Sequence, residues 1–240
     1  MKGRDVMTRA ALVWTTANAQ RLAHLKDGAP NILGRAEGSD VLIDDPTVSR
    51  RQAVVSTDSG RYVLENVSQT NVATVNGVRV DRPVPLSDGD TLNIGNVQLT
   101  FHDLQAGDRL SGPLCSHCSR ENMSTDKDCW YCGTSLVNAP TTILSTKKVA
   151  FRMISGSGEK HDVHSGETFV INAEGSAEVV RDEKLPAAVM LAVKPNAEKG
   201  AEVVDASGTL SINGSPPSAD VLQTGDLVAA EAAQFLVIVR

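Results

Sequence analysis

Three short motifs occur twice along the chain, in the same order and with nearly the same separation. The members of the first two pairs lie 137 residues apart, and those of the third lie 136 apart. The pairs are Ala36–Ser39 with Ala173–Ser176, Val75–Gly77 with Ile212–Gly214, and Leu86, Gly89 and Asp90 with Leu222, Gly225 and Asp226. One match arises easily by chance, but three in order favour a duplicated fold. Two unrelated β-domains that share common turn residues are the alternative.

Each half of the chain consists of short apolar runs separated by turn residues. Asn76-Gly77 is the pair most typical of a tight β-hairpin. Apolar and polar residues alternate over 97–101, as in a strand with one buried face. No 3.6-residue period is present, so the pattern predicts an all-β protein with one β-sandwich at residues 10–103 and a second at 148–240.

Charge and hydropathy narrow the function classes. The formal net charge is −6 and the isoelectric point is about 5.4, whereas proteins that bind nucleic acid backbones usually carry a basic face. The longest apolar run near the start, Ala10–Trp14, is too short for a signal peptide or a membrane span. We therefore expect a cytoplasmic protein.

All four cysteines lie close together, in two Cys-x-x-Cys pairs. The first pair is Cys115 and Cys118, and the second, ten residues on, is Cys129 and Cys132. Four thiolates with this spacing suit a closed tetrahedral zinc site. We predict a Zn²⁺-binding ribbon at residues 112–135, with no open coordination position for catalysis.

The cysteine segment resembles short zinc ribbons and the Ran-binding-protein type of zinc finger, some members of which bind single-stranded RNA. Trp130 and Tyr131 are aromatic residues that could stack on bases, but only two cations, Arg120 and Lys127, accompany them. We expect the two rings to pack on a neighbouring part of the protein. RNA binding is the less favoured alternative.

Residues 136–147 are polar and predict a flexible linker between the zinc ribbon and the second sandwich. Thr141 and Thr142 follow a proline within it. An exposed threonine pair in such a segment is accessible to a kinase. Both residues are therefore candidate phosphorylation sites, and a plain spacer is the alternative.

Polar groups of one chemical character fall on the predicted loops of the first sandwich. They form three clusters, Gly34-Arg35, Ser49-Arg50-Arg51 and Thr70-Asn71. Guanidinium groups offer a fork of donors that matches a phosphate, and hydroxyl groups can donate to its remaining oxygens. The alternative is that these arginines are ordinary surface charges.

The same part of the chain resembles the forkhead-associated (FHA) domain. The resemblance covers residues 10–103 and is carried by three separated motifs in order. They are ILGRAEGSDVLIDDPTVSRRQA, NVSQTNVATVNG and LSDGDTLNIG. The resemblance implies a two-sheet β-sandwich that binds phosphothreonine peptides with the loops at one end.

The resemblance also implies roles for individual residues. Arg35, Ser49 and Thr70 would contact the phosphate, Arg50 would support the phosphate or the peptide backbone, and Asn71 would hold the peptide main chain. The sequence departs from the family at two positions. Gln52 stands where the family usually has a histidine that braces the loops, and Val72 stands where it has glycine.

The second half lacks these phosphate-binding residues. At an offset of 137, the three clusters of the first half correspond to Ile171-Asn172, Pro186-Ala187 and Ser207-Gly208. We therefore expect a degenerate FHA-like sandwich that binds no phosphate and serves protein contact.

No catalytic signature is present: the chain has no phosphate-binding P-loop, no nucleophile elbow and no zinc-protease motif. We therefore expect no enzymatic activity. The predicted function is that of a phosphothreonine-binding signalling adaptor, whose partner is a Ser/Thr kinase or a substrate of such a kinase. A structural interaction scaffold that no longer recognises phosphate is the alternative.

Overall fold

A computed structural model describes most of the chain, and the chain divides into two compact units. The N-terminal unit is Arg9–Thr146, and the C-terminal unit contains Lys147–Arg240. The described residues are 9–16, 19–104, 109–110, 112–141, 143–144, 148–172, 175–182, 186, 189–198, 200–206, 210–216, 221–230 and 233–240. Every regular element within them is a β-strand, which confirms the predicted all-β class. These residues include no helix with the length and apolar character needed to cross a membrane.

The first part of the N-terminal unit is a two-sheet sandwich. Its strands are β1 (Ala10–Thr16), β2 (Ala19–Leu25), β3 (Asn31–Gly34), β4 (Val41–Leu42), β5 (Ala53–Asp58), β6 (Arg61–Asn66), β7 (Thr74–Val75), β8 (Val78–Arg79), β9 (Val84–Pro85), β10 (Thr91–Ile94) and β11 (Val97–Asp103). One sheet has the order β2-β1-β11-β10-β7-β8, and the other has the order β4-β3-β5-β6-β9.

The core of this sandwich lies between the two sheets. Leu12 and Phe101 pair across β1 and β11, while Val55 and Leu64 pair across β5 and β6. All four are fully buried in one apolar cluster. The alternation predicted for residues 97–101 is also present, because Leu99 and Phe101 face the core and the polar residues between them do not.

The predicted flexible linker is partly ordered. β12 (Arg109–Leu110) pairs with β13 (Ile143–Leu144) in a two-stranded antiparallel ladder. Leu136 is buried against Cys115 and Cys129, and the Leu114 amide donates a hydrogen bond to the Pro140 carbonyl oxygen. The described part of residues 136–147 therefore makes backbone pairing and packing contacts, and the flexibility of this linker stays a prediction. Apolar side chains within the polar segment give it surfaces to pack.

The C-terminal unit is also built from two sheets. Its strands are β14 (Phe151–Ser155), β15 (Lys160–Val163), β16 (Glu167–Asn172), β17 (Ala177–Arg181), β18 (Val189–Asn196), β19 (Gly200–Ala206), β20 (Leu210–Ile212), β21 (Val221–Leu222), β22 (Leu227–Ala230) and β23 (Ala233–Val239). The sheet orders are β15-β14-β23-β22-β20 and β17-β16-β18-β19-β21. Phe151, Phe169, Leu191 and Val237 from the two sheets share one buried cluster.

The strand orders of the two units correspond. In each unit the first sheet joins the second, first, last and next-to-last strands. The next strand in this sheet is β7, which follows the β5–β6 hairpin, or β20, which follows the β18–β19 hairpin. Two differences are visible. β4 pairs with β3 in parallel whereas β17 pairs with β16 antiparallel, and the β7–β8 pairing is reduced in the C-terminal unit to a single bridge between Ile212 and Ser215.

The same side-chain hydrogen bonds close the same turns in the two units. The Asn76 side-chain nitrogen donates to Asp90 Oδ1 at 2.7 Å, and the Asn76 side-chain oxygen accepts from the Thr91 backbone amide at 2.9 Å. In the C-terminal unit, the Asn213 side-chain amide donates to Asp226 Oδ1 at 2.9 Å. The Asn213 side-chain oxygen accepts from the Leu227 backbone amide, also at 2.9 Å. Both asparagines have left-handed backbones and precede a glycine of positive φ. This turn chemistry explains the second and third repeated motifs.

We predict that Asn76→Ala destabilises the N-terminal unit by about 2 kcal/mol, because it removes two hydrogen bonds and places alanine at a left-handed position. Both tryptophans, Trp14 and Trp130, lie in that unit. Urea unfolding followed by tryptophan fluorescence measures the effect. Asn213→Ala is the matched control in the other unit. Equal shifts of the fluorescence midpoint in both variants would contradict the prediction.

Candidate functional site

An open groove of about 460 Å³ lies where the loops after β3, β4 and β6 meet. All five residues predicted to bind a phosphopeptide line it, namely Arg35, Ser49, Arg50, Thr70 and Asn71. Its other lining residues are Pro46, Thr47, Val48, Arg51, Val67, Ser68 and Gln69. The structure thus brings together residues from three loops that are up to 36 positions apart in the chain.

A close backbone contact joins the first two of these loops. The Arg35 amide donates to the Ser49 carbonyl oxygen at 3.1 Å, and the Ala36 amide donates to the Arg50 carbonyl oxygen at 3.2 Å. A Cβ atom at Gly34 would lie 2.2 Å from the Arg50 carbonyl oxygen. Glycine is therefore required at position 34 because any side chain would push the two loops apart.

Ser68 links the second loop to the third. Its hydroxyl group lies 2.7 Å from that of Ser49 and accepts hydrogen bonds from the Thr70 and Asn71 amides at 3.2 and 3.4 Å. Sequence reasoning missed Ser68. The signal was available, because Ser68 is a hydroxyl residue two positions before Thr70 on the same predicted loop.

Gln52 is the internal brace of the groove. It is fully buried, and its side-chain amide donates to the Asn71 carbonyl oxygen at 2.5 Å and to Asn66 Oδ1 at 3.2 Å. Its side-chain oxygen accepts from the Ser49 amide at 3.1 Å. Glutamine at this position therefore provides both a donor and an acceptor, and it holds the Ser49 loop against the Asn71 loop.

Hydrogen bonds of Thr47 and Asp45 hold the second loop in place. The Asn71 side chain donates to the Thr47 carbonyl oxygen at 2.8 Å, and the Thr47 hydroxyl accepts from the Asn96 amide at 2.8 Å. Hydrogen bonds from the hydroxyl and the amide of Thr47 hold the pKa of Asp45 below its ordinary value. Asp45 therefore stays ionised and bound to its own loop.

The three arginines of the groove differ from the structural arginines of the protein. Among the described residues, no acidic side chain forms an ion pair with Arg35, Arg50 or Arg51, and all three are exposed. By contrast, Arg61 and Arg120 are paired with carboxylates. The groove therefore presents guanidinium groups whose donors are available to an anion.

The four cysteines form a second site in the same unit. Their sulfur atoms all lie within 4.8 Å of one another, and no disulfide bond joins them. Cys115 Sγ and Cys132 Sγ are 3.5 Å apart, and Cys118 Sγ and Cys129 Sγ are 3.7 Å apart. A tetrahedral Zn–S₄ site with bonds of about 2.3 Å requires sulfur separations of about 3.8 Å. The cluster fits a zinc ion.

Two turns of the same design present these cysteines. The Cys115 amide donates to the Arg120 carbonyl oxygen at 2.9 Å, and the Cys129 amide donates to the Thr134 carbonyl oxygen at 2.7 Å. Ser119 and Gly133, each directly after the second cysteine of a pair, have positive φ. Burial raises the pKa of Cys118 to about 12, so a nearby cation is needed to hold it as a thiolate at neutral pH.

The cysteine module, residues 112–140, is packed against the first sandwich. Trp130 is 9% exposed and belongs to the sandwich core, which confirms that it packs on a neighbour and is unavailable for base stacking. Arg120 makes a two-pronged contact with Asp90 at 2.9 and 3.2 Å, and its guanidinium lies over Trp130 and Tyr131. Cation–π and charge-assisted contacts thus fasten the module to the sandwich.

A buried ion pair adds to this attachment. Arg61, at the start of β6, donates to Glu121 Oε1 and to the Asn122 carbonyl oxygen, each at 3.1 Å. Asn66, at the other end of β6, belongs to the hydrogen-bond network of the groove. At about 3.3 Å per residue, five steps along the strand separate the module from the groove by about 17 Å. The two sites therefore lie at opposite ends of the sandwich.

Other predicted positions stand as follows. Thr141 is exposed, whereas Thr142 lies outside the described residues. In the C-terminal unit, Ala187, Ser207 and Gly208 lie outside the described residues as well. Ile171, which the offset of 137 matches to Gly34, has a side chain that is fully buried in the core cluster of that unit.

The family comparison identifies the class of the first sandwich. The model of the FHA domain matches residues 31–95, which include Gly34, the second loop and the turn before β11. The N-terminal unit therefore contains an FHA domain.

Known proteins are similar to about a third of the chain. Over 77 residues it is 38% identical to the glycogen accumulation regulator GarA of Mycolicibacterium smegmatis, covering 32% of this chain and 48% of that protein. Over 80 residues it is 42% identical to an ABC transporter ATP-binding/permease protein of Mycobacterium tuberculosis, covering 33% of this chain and 9% of the transporter. The chain thus spans less than half the length of either relative.

A solved structure of phosphothreonine-dependent FHA domain interactions also aligns with the chain. The alignment covers 39% of this chain and 95% of the other, with 27% identity and a TM-score of 0.35.

We predict that Gly34→Ala destabilises the protein by about 1–3 kcal/mol, because the new methyl group meets backbone atoms that cannot rotate away. It should also shift the amide resonances of residues 49–51. Thermal unfolding by circular dichroism and a nitrogen–proton correlation spectrum measure the two effects. Gly156→Ala is the control, since nothing lies within 4 Å of its added Cβ. Unchanged resonances at 49–51 would contradict the prediction.

Proposed function

We propose that the chain is a phosphothreonine-binding signalling adaptor of a Ser/Thr kinase pathway. The observation that carries the proposal is the groove itself. Arg35, Ser49, Arg50, Thr70 and Asn71 line it together, and its arginines have no acidic partner among the described residues. The FHA family resemblance of the same residues supports a phosphothreonine as the ligand.

Each group has a distinct task in this proposal. The Arg35 guanidinium binds two phosphate oxygens, and Arg50 adds a second positive charge beside it. The Ser49 and Thr70 hydroxyls donate to the remaining oxygens. Asn71, held in place by its bond to Thr47, is exposed at the rim and binds the peptide main chain. The braced loops limit the conformational entropy that binding costs.

The partner in this proposal is a phosphothreonine-containing protein, either a Ser/Thr kinase or one of its substrates. The chain itself acts by binding and not by catalysis. Thr141, exposed next to Pro140, remains a candidate phosphorylation site. The cytoplasmic location stays a prediction.

The C-terminal unit is proposed to be a degenerate FHA-like sandwich that serves protein contact. Three observations support a duplication: the matching strand order, the repeated motifs, and the equivalent Asn76–Asp90 and Asn213–Asp226 networks. At the positions that an offset of 137 matches to Arg35, Ser49 and Arg50, this unit has Asn172, Pro186 and Ala187. We therefore propose that it binds no phosphate.

The cysteine module is proposed to be a structural zinc ribbon. The sulfur geometry and the two equivalent turns support a closed four-sulfur site. Cys115, Cys118, Cys129 and Cys132 would hold the ion, which supplies folding energy and no chemistry. Its function in this proposal is to cap the end of the FHA sandwich opposite the groove.

We predict one zinc ion per chain. Its removal by a chelator should expose Trp130, because the module that carries this side chain into the sandwich core depends on the metal. In a Trp14→Phe background, Trp130 is the sole tryptophan, and its fluorescence should shift to longer wavelength on chelation. Elemental analysis that finds no zinc in protein purified without chelator would contradict the proposal.

We predict that the protein binds phosphothreonine peptides and not their unphosphorylated forms. Arg35→Ala should weaken binding by about 10- to 100-fold, the value of one charge-assisted hydrogen-bonded contact. Isothermal titration calorimetry measures the affinity for the two peptide forms and the effect of the substitution. Arg21→Ala is the matched control, since Arg21 is an exposed arginine on β2 and does not line the groove. Equal affinity for phosphorylated and unphosphorylated peptides would refute the proposed function.

A further inference from the structure

The groove carries more positive charge than a single phosphothreonine neutralises. Three arginines line it and no carboxylate does, although the chain as a whole has a net charge of −6. A phosphothreonine carries about −1.5 to −2 charges at neutral pH. One guanidinium group therefore has no counterpart in a ligand whose only charge is the phosphate.

Arg51 is the arginine that the phosphate-binding set does not use. Ser49 and Gln52, on either side of the Arg50-Arg51 pair, point inward, with Ser49 bonded to Ser68 and Gln52 fully buried. The two arginines between them are exposed. The backbone of Arg51 is packed closely against Gly34. A Cβ atom added at Gly34 would lie 3.1 Å from the Arg51 Cα atom. Arg51 is thus a solvent-facing charge on a rigid loop.

We propose that Arg51 is a specificity residue that binds an aspartate or glutamate side chain flanking the phosphothreonine. The preferred ligand is then a phosphopeptide with an acidic residue close to the modified threonine. This inference rests on the proposed function and adds to it the chemical class of the flanking sequence. Carboxylate and guanidinium are complementary in shape as well as in charge, since two oxygens meet two N–H donors.

The test uses the whole 240-residue chain and a phosphothreonine peptide in which all other residues are alanine. In one series, aspartate replaces each alanine in turn from three residues before to three residues after the phosphothreonine. A second series uses lysine at the same positions. Fluorescence anisotropy at low ionic strength measures affinity, because salt screens exposed ion pairs.

Aspartate at one or two of these positions should raise the affinity of the unaltered protein by about two- to fivefold, the range for one exposed charge pair. Arg51→Ala should abolish this gain while the preference for phosphorylated over unphosphorylated peptide is retained. Arg51→Glu should reverse it, so that lysine is favoured at the same positions. Arg21→Glu makes the same change of net charge outside the groove and should leave the aspartate gain intact.

Two results would overturn the inference while the proposed function stands. In the first, no position favours aspartate. In the second, Arg51→Ala weakens every phosphopeptide by the same factor, which would place Arg51 on the phosphate itself. The proposed function fails separately, when the unaltered protein binds phosphorylated and unphosphorylated peptides equally. Thermal melts of the Arg51 variants establish that they are folded, as expected for an exposed side chain without an ion-pair partner among the described residues.

Discussion

The Asp90 carboxylate is the group on which the architecture of the N-terminal unit depends most. It accepts hydrogen bonds from Asn76, from the Ser87 amide and from the Arg120 guanidinium, and only 4% of its side chain is exposed. One buried charge therefore closes two turns of the sandwich and anchors the cysteine module. Removal of any of these partners would leave the buried carboxylate with too few hydrogen bonds, and the free energy of unfolding would fall as a result.

The groove depends on a different principle, close backbone packing. Gly34 allows two loops to approach until the Ala36 amide reaches the Arg50 carbonyl oxygen, and buried Gln52 ties the third loop to them. Polar atoms inside the loops are thus satisfied by one another. The arginines at the surface are left without acidic partners among the described residues, so a ligand need not displace an existing ion pair.

The C-terminal unit has the same strand order but different loop chemistry. The hydrogen bond between Asn213 and Asp226 matches that between Asn76 and Asp90. Both bonds hold together two turns that the shared strand order brings side by side. Ile171, which an offset of 137 residues matches to Gly34, carries a fully buried side chain instead of a glycine.

The sequence by itself determined the all-β class, the Asn-Gly turns, the cysteine pairs and the five predicted groove residues, because each is a local pattern with a local physical cause. It did not indicate the contact of Ser68 with Ser49, the particular core that buries Trp130 or the ladder of residues 143–144 with 109–110. These depend on contacts between segments far apart in the chain, such as Arg61 with Glu121. Only the tertiary structure decided which arginines are neutralised within the protein and which remain available to an anion, because ion pairing depends on distances in space and not on spacing in sequence.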